Sequence, residues 1–442
     1  MVKSQGLGRN SIESQKTRAS SSELPSGPQE PPQKAETGSR SALRRLLLDY
    51  QTACRSGEVG EADLQAVVGA FRGKLGKAGV GSKHWGRYSS LFENFGRASV
   101  AFLKRTPAQA GPMYREITPV LPLFQPFPAL LLLLFKRTVR NYLQSPPQLD
   151  ATGLDFLTAI LHIQGADRTS LLSAAILAYT GVCSEYRSDL DILQKRVMKL
   201  MKTDFAVCEG VIVKKLHTLE DNLMQFSDSS NKEAIETVVN WQFLQTIGLC
   251  GMALSYIRKP TERYMDQWLQ LVFSALKVSD ELRYSPWKLH LTKVLIQVET
   301  AAKAYFPGVS SALLSLLASP DLHKRIKPTE SSVDLSSVLE AKQQQMMCQS
   351  FREALIRGIC ESLLRHLAVC AQSPSFPELS LPIREVLARE SQVSRKLLSQ
   401  TQSVLEKTLK TLTEASKWVE TRRQTQGTSP LSGVSPLVQA LS

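Results

Sequence analysis

From about residue 85 onward, apolar side chains return every three or four positions. Leu291, Val294, Leu295 and Val298 follow the i, i+3, i+4, i+7 spacing of one helix face. Trp268, Leu271, Val272 and Ala275 form a second stripe, and Ile356, Ile359, Leu363 and Leu367 a third. Alternating β-branched runs closed by hairpin turns are missing. The stripes break at Pro-, Ser- or Asp-marked points: QSPPQLD (144–150), GAD (165–167), SDSSN (227–231), RKP (258–260), SP (285–286), FPG (306–308) and SPD (319–321). This predicts helices of about 12 to 25 residues with short links. The breaks recur about every 20 residues, so helix pairs recur about every 40, the period of HEAT or armadillo arrays. The expected fold is all-α: a HEAT/armadillo-like helical-repeat solenoid with a disordered N-terminal tail. The period lies in helix lengths, and no repeated sequence accompanies it.

The same pattern sets the expected boundaries. Residues 1–40 are dominated by Pro, Ser, Gly, Gln and Glu, which cannot bury enough apolar surface to order a chain. Residues 41–84 read as a short helical segment, with Ser41 capping ALRRLLLDYQTAC, followed by the linker GKLGKAGVGSK (73–83). Four glycines in that linker suggest a phosphate loop, but no GK[ST] follows at the required spacing. The helical array is expected over 85–425, and a flexible tail over 426–442. The first forty residues hold no apolar run, so no secretory leader is expected, and Glu13 and Glu23 count against a transit peptide. The apolar run FPALLLLLF (Phe127–Phe135) is about half the length a membrane span needs, and reads as a buried core helix.

Charge changes the picture of partners, not of the fold. There are 54 basic against 40 acidic residues, a formal net charge of +14. That excess favours nucleic acid, a phosphate-rich surface or an acidic protein. Lys195, Lys199 and Lys202 stand at i, i+4, i+7 on one helix face, and Lys214 and Lys215 follow on the next helix. HKRIK (323–327) makes a basic turn with Lys324, Arg325 and Lys327, and Lys136, Arg137 and Arg140 follow the apolar run. The clusters read either as solvated faces or as non-sequence-specific contacts to RNA phosphates. No RRM-like or KH-like signature is present.

Candidate chemistry is sparse. HExxH, GxSxG, the P-loop and the dinucleotide-binding turn do not occur. Asp189 and Asp191 point to different sides of a helix and read as acids near a helix start. His366 and Cys370 share a helix face, with Cys360 on the same helix, but a fourth metal ligand has no source nearby. A packed helix with a partly exposed His366 is expected instead. The seven cysteines (Cys54, Cys183, Cys208, Cys250, Cys348, Cys360 and Cys370) are scattered, with no CxxC. They read as buried, reduced thiols of an intracellular protein. No catalysis, cofactor, metal, small-molecule substrate or membrane contact is expected.

Several motifs remain, and they come in order. NWQF (240–243) contains Asn240 and Trp241. RYSPWKLHLTKVL (283–295) contains Arg283, Tyr284, Pro286, Trp287 and His290. FPGVSSALLSLL (306–317) opens on Phe306 and Pro307, and FPELSLPI (376–383) contains Phe376, Pro377, Glu378 and Pro382. A long helix over 396–423 closes the series, and ITPVLPLFQPFPALLLLLFKRTVRNY (117–142) fits upstream more loosely. In this order and spacing they resemble the nucleolar complex protein 2 family of ribosome-assembly factors, over roughly residues 85–425. The resemblance implies a HEAT-like scaffold without catalysis in the nucleus, nucleolus and nucleoplasm. It also implies work on the large-subunit pre-ribosomal particle, pairing with a sibling nucleolar complex protein as a heterodimer, and contact with ribosomal RNA. The family's long charged N-terminal extension is nearly absent here. The alternative is a HEAT-type nuclear transport or cargo adaptor, which the positive balance opposes because such adaptors present acidic inner faces.

Two readings of the motif residues stay open. Trp241 and Trp287 serve as core with Pro286 at a helix start, or a few exposed aromatics anchor a partner. SPSFPELSLP (373–382) reads as a rigid corner bounded by two prolines: Pro377 fixes φ, Ser375 caps, Glu378 sits near a helix start, and Phe376 and Leu379 pin the corner to the array.

Overall fold

The computed structural model describes residues 34–75, 85–146, 150–229, 232–257, 262–324, 333–394, 399–426 and 435–441, and among these there is no strand. The first helices are α1 (Lys34–Ser56), α2 (Glu61–Leu75), α3 (Trp85–Arg105), α4 (Ala110–Ile117) and α5 (Pro128–Gln144). Next come α6 (Asp150–Leu161), α7 (Arg168–Val182), α8 (Leu190–Met201), α9 (Phe205–Ser229) and α10 (Lys232–Val238). Then follow α11 (Trp241–Tyr256), α12 (Glu262–Leu276), α13 (Ser285–Ala302), α14 (Gly308–Leu317) and the single turn α15 (Gln343–Met346). The last are α16 (Gln349–Ala368), α17 (Phe376–Ser394), α18 (Ser399–Gln426) and α19 (Pro436–Leu441).

Helix boundaries follow local chemistry. Asp167 of the GAD break caps α7, its carboxylate accepting from the Ser170 N–H at 3.1 Å. Pro286 occupies the first turn of α13, where a missing N–H costs nothing. Lys303 ends α13 in the left-handed region at φ 53°, and its N–H returns to the Glu299 carbonyl. Asp189 of the SDLD pair is the residue before α8, and Arg187 grips its carboxylate with two bonds of 2.8 Å. Ser41 does not cap: α1 already runs from Lys34, so Ser41 lies inside it. Linker residues 76–84 and the RKP break lie outside the described residues.

Packing repeats along the chain. Helices α1, α3, α5, α7, α9, α11, α13, α16 and α18 each touch the next of that series, and α2, α4, α6 and α8 do the same in a second row. Residues before 85 share this core. Tyr50 of α1 and Phe71 of α2 meet Phe95 and Phe92 of α3 with ring centroids about 5.2 to 5.5 Å apart, and the Tyr50 hydroxyl bonds Ser99 at 3.0 Å. The apolar run of α5 buries Leu130, Leu131, Leu134 and Phe135 but leaves Leu133 exposed. No described helix is long and apolar enough to cross a membrane. Helices α11 and α12 meet at a glycine. A Cβ on Gly251 would stand 2.4 Å from the Trp268 indole, whose N–H donates to the Ile247 carbonyl at 2.8 Å.

One stretch departs from the expected near-continuous helix. Residues 333–342 form no regular element, yet Leu335, Leu339 and Ala341 are buried. This strap runs across the start of α13.

Candidate interaction site around the start of α13

The N-terminus of α13 has no side-chain cap. The strap supplies one: the Leu339 carbonyl accepts the Trp287 N–H at 3.0 Å, answering a donor that has no partner within its own helix. One turn earlier, the Arg283 carbonyl accepts the Ala341 N–H at 2.7 Å. The Arg283 guanidinium pairs with Glu340 and lies 5.0 Å from the Tyr284 ring centre. His290 Nε2 donates to the Leu335 carbonyl at 3.0 Å. Burial, and then the positive charge of Lys293, pull the His290 pKa down to about 4.

Asn240 brings α11 to the same place. Its side-chain oxygen accepts the Phe243 N–H at 2.8 Å, and its amide donates to the Glu236 and Thr237 carbonyls. Trp241 is thereby the first residue of α11. Its ring meets His290 edge-on at 5.2 Å and Tyr186 at 5.3 Å, and the Tyr186 hydroxyl is 3.1 Å from Ser336 Oγ of the strap. Trp287 is fully buried against Phe243, and its indole N–H finds no hydrogen-bond partner. Arg283, Trp287 and His290 thus bond the strap directly, and Trp241 of the separate NWQF stretch reaches it through His290 and Tyr186. Tyr186 and Leu335 are the members that the sequence did not single out.

A second polar group fastens the end of α13. Glu299 Oε1 accepts the Phe306 N–H at 2.5 Å, and Oε2 lies 2.8 Å from His366 Nδ1. His366 Nε2 lies 2.7 Å from Ser310 Oγ, and the Tyr305 ring stacks on the imidazole at 4.7 Å. The order of groups is that of a nucleophile, a base and an orienting carboxylate. Burial denies it that chemistry: Glu299 and His366 are 0% exposed and Ser310 8%, so a substrate carbonyl cannot reach the hydroxyl. The expected partly exposed His366 is therefore corrected to a buried one, because Glu299 and Ser310 satisfy both ring nitrogens. Among the described residues no three His, Cys, Asp or Glu side chains group as metal ligands. All seven cysteines are buried free thiols, and burial raises Cys360 and Cys370 to about 12. Phe306 itself is buried, and Pro307 precedes α14 on the surface.

The SPSFPELSLP stretch is a helix start rather than a corner between two prolines. α17 begins at Phe376, fully buried, with Pro377 in its first turn, and the Leu379 N–H donates to the Ser375 carbonyl at 3.0 Å. Pro382 lies inside α17 on its exposed side. It removes one helical bond without ending the helix, because Ile383 and Leu387 beyond it are buried. Glu378 accepts two bonds, of 2.8 and 2.7 Å, from Arg423 of α18, and that guanidinium holds its carboxyl below the ordinary value. Arg423 also donates to the Pro374 carbonyl.

The basic candidates divide. Lys195 and Lys199 are exposed along α8 and Lys202 just after its end, where the Lys202 ammonium stands 3.7 Å from the Tyr256 ring centre. Lys214 is exposed, but Lys215, one residue on, is half-buried. Lys324 pairs with Asp321 at 2.5 Å, while Arg325 and Lys327 lie outside the described residues. Arg137 works internally, donating to the Leu103 and Lys104 carbonyls at the end of α3. Two arginines that the sequence did not single out do the same. Arg196 donates to the Tyr142 and Leu143 carbonyls, and Arg352 to those of Leu322 and Lys324. The signal for Arg196 was its place in line with the buried positions of α8.

These observations define an all-helical protein whose motif residues fasten helix ends to neighbouring segments. The sequence model of the Noc2p family matches residues 182–434, more than half of the chain and the part that holds the motifs from Asn240 to the closing helix but not the upstream stretch 117–142, and the chain belongs to that family. It is 21% identical over 249 residues to an uncharacterized NOC2 family protein of Schizosaccharomyces pombe, covering 52% of this chain and 47% of that one. It is 21% identical over 265 residues to nucleolar complex protein 2 of Drosophila melanogaster, covering 57% of this chain and 34% of that one. A nucleolar complex protein 2 homolog of Caenorhabditis elegans is 22% identical over 162 residues, 34% of this chain and 22% of that one. The chain thus spans less than half the length of each of these relatives.

Proposed function

We propose that this chain is a non-enzymatic scaffold in assembly of the large ribosomal subunit precursor, working in the nucleolus and nucleoplasm. The observation that carries this reading is the Noc2p family match over 182–434, joined by relatives named nucleolar complex protein 2. In this reading the two rows of helices act as one HEAT/armadillo-like array over about residues 34–426, and α19, expected as part of a flexible tail, instead packs on α16 and α18 with Leu437 buried. Contacts between alternate helices support that array, since stacked repeats touch chiefly their neighbours. The partners are a sibling nucleolar complex helical-repeat protein and the phosphates of ribosomal RNA. Exposed Lys195, Lys199, Lys202 and Lys214 supply the phosphate contacts, and the net charge of +14 favours them over an acidic-faced cargo adaptor. The motif residues act by setting the relative placement of α11, α13 and α17, and so the shape of the partner face.

The test is purification of the tagged chain from extract with and without nuclease, with all partners identified. A sibling helical-repeat protein is expected in both, and large-subunit proteins only without nuclease. Recovery of transport factors with soluble cargo, and of no sibling, would replace the scaffold by the adaptor.

A further inference from the structure

Helices α5 and α7 pack side by side and both start at one apolar cavity of about 190 Å³. Pro128, Ala129 and Leu132 line it from α5, Ile163 from the preceding turn, and Leu171 from α7. The outer faces of the two helices continue from it. On α5, Ala129, Leu133, Lys136 and Arg140 stand at i, i+4, i+7 and i+11, all exposed. On α7, Ser170, Leu177 and Gly181 stand at i, i+7 and i+11, also exposed. Leu133 is 49% and Leu177 61% exposed, two large aliphatic groups left in water on adjacent helices. Neither Lys136 nor Arg140 has an ion-pair partner among the described residues, although Arg137 beside them is committed to the Leu103 and Lys104 carbonyls.

We infer that this face binds an amphipathic α-helix of another protein, with one apolar side chain in the cavity and acidic residues over Lys136 and Arg140. A valley between two packed helices accepts a third helix through anchors at i, i+3, i+4 and i+7. Leu133 and Leu177 provide the apolar floor, and an exposed apolar patch next to a preformed cavity is the usual mark of such a site. Charge selects the occupant. The far end carries two unpaired cations in a chain of net charge +14, which repels a basic helix or a second copy and attracts an acidic end. Asp167, at the cavity end, caps α7 through its carboxylate, which disfavours an acidic side chain there and leaves the acidic residues of the partner to the Lys136 and Arg140 end. The face lies before residue 182, outside the residues that the Noc2p family model matches.

The experiment selects a displayed library of amphipathic helical peptides, with randomised charged positions, against the full chain and its variants. Enriched peptides should share an apolar stripe and an excess of Asp and Glu at one end. They should lose at least about tenfold in affinity to Leu177→Asp, equivalent to about 1.4 kcal/mol. The preference should turn to Lys and Arg with the double variant Lys136→Glu, Arg140→Glu, whose exposed positions leave the fold intact. Circular dichroism confirms folding of each variant. No enrichment, enrichment without a charge excess, or equal binding to Leu177→Asp overturns the inference. Leu177-dependent binding of phosphatidylserine vesicles or of a 20-residue oligouridylate, without peptide selection, overturns it in favour of a membrane or RNA site.

Discussion

Replacing Glu299 tests whether the buried Glu299–His366–Ser310 group holds the turn from α13 into α14. In Glu299→Ala, the Phe306 N–H and one ring nitrogen of His366 both lose their partner where water cannot replace it. Each orphaned buried group costs about 1 to 3 kcal/mol, and the removed methylene and carboxyl leave a small void besides. The loss should therefore reach about 3 to 5 kcal/mol, a large part of a typical domain's stability. Glu299→Gln keeps the shape and an oxygen for the Phe306 N–H, and the imidazole can change tautomer to meet the amide. Its loss should stay near 1 kcal/mol. A chain this long need not unfold in one step, so the assay is native-state hydrogen exchange over 299–310 and 360–370, with urea unfolding followed alongside. Opening of these segments should be far easier in Glu299→Ala than in Glu299→Gln. Equal exchange in the two variants, or an alanine variant less than about 1 kcal/mol below the parent in both measurements, would refute the reasoning.

His290 should make attachment of the strap pH-sensitive. Its folded pKa of about 4 lies below the ordinary 6.5, so the unfolded chain binds the proton more tightly and stability falls as pH drops from 6.5 towards 4. The full difference is about 3 kcal/mol, absent above pH 7. Protection of residues 333–341, taken as the exchange rate relative to that of an unstructured peptide at the same pH, should fall across that window in the parent and not in His290→Gln. Gly251→Ala should destabilise by about 1 to 3 kcal/mol, because its Cβ would fall 2.4 Å from Trp268 and 2.8 Å from Val298; a Tm equal to the parent's would contradict the packing. The buried thiols, with Cys54 and Cys183 at about 11 and Cys208, Cys250, Cys360 and Cys370 at about 12, should resist iodoacetamide at pH 8 until urea opens the chain. Mass spectrometry of labelled protein checks this, and prompt labelling of native Cys250 would place it outside the core.

Much of the fold was legible because it is local. Apolar residues spaced by 3.6 fix a helix and its inward face whatever that face later meets, and so α12, α13 and α16 fall where their stripes place them. Asp167 and Pro286 act on donors within three residues of themselves, and their roles could be read without a tertiary structure. Pro382 marks a limit of that local reading. A proline predicts a break, yet burial of Phe376 on one side and Ile383 and Leu387 on the other carries α17 through it.

The sequence by itself determined an all-helical chain, its main helix starts, the basic balance and, through the order of its motifs, the family. Only the tertiary structure decided what the motif residues do. His366 meets a carboxylate 67 positions earlier, and His290 a carbonyl 45 positions later. Arg137, Arg196 and Arg352 look like surface cations in the chain, yet each answers helix-end carbonyls about 30 to 50 positions away. Periodicity states which side of a helix is buried but not which segment covers it. That choice is made by packing among helices remote in sequence, where each buried polar group must find a partner.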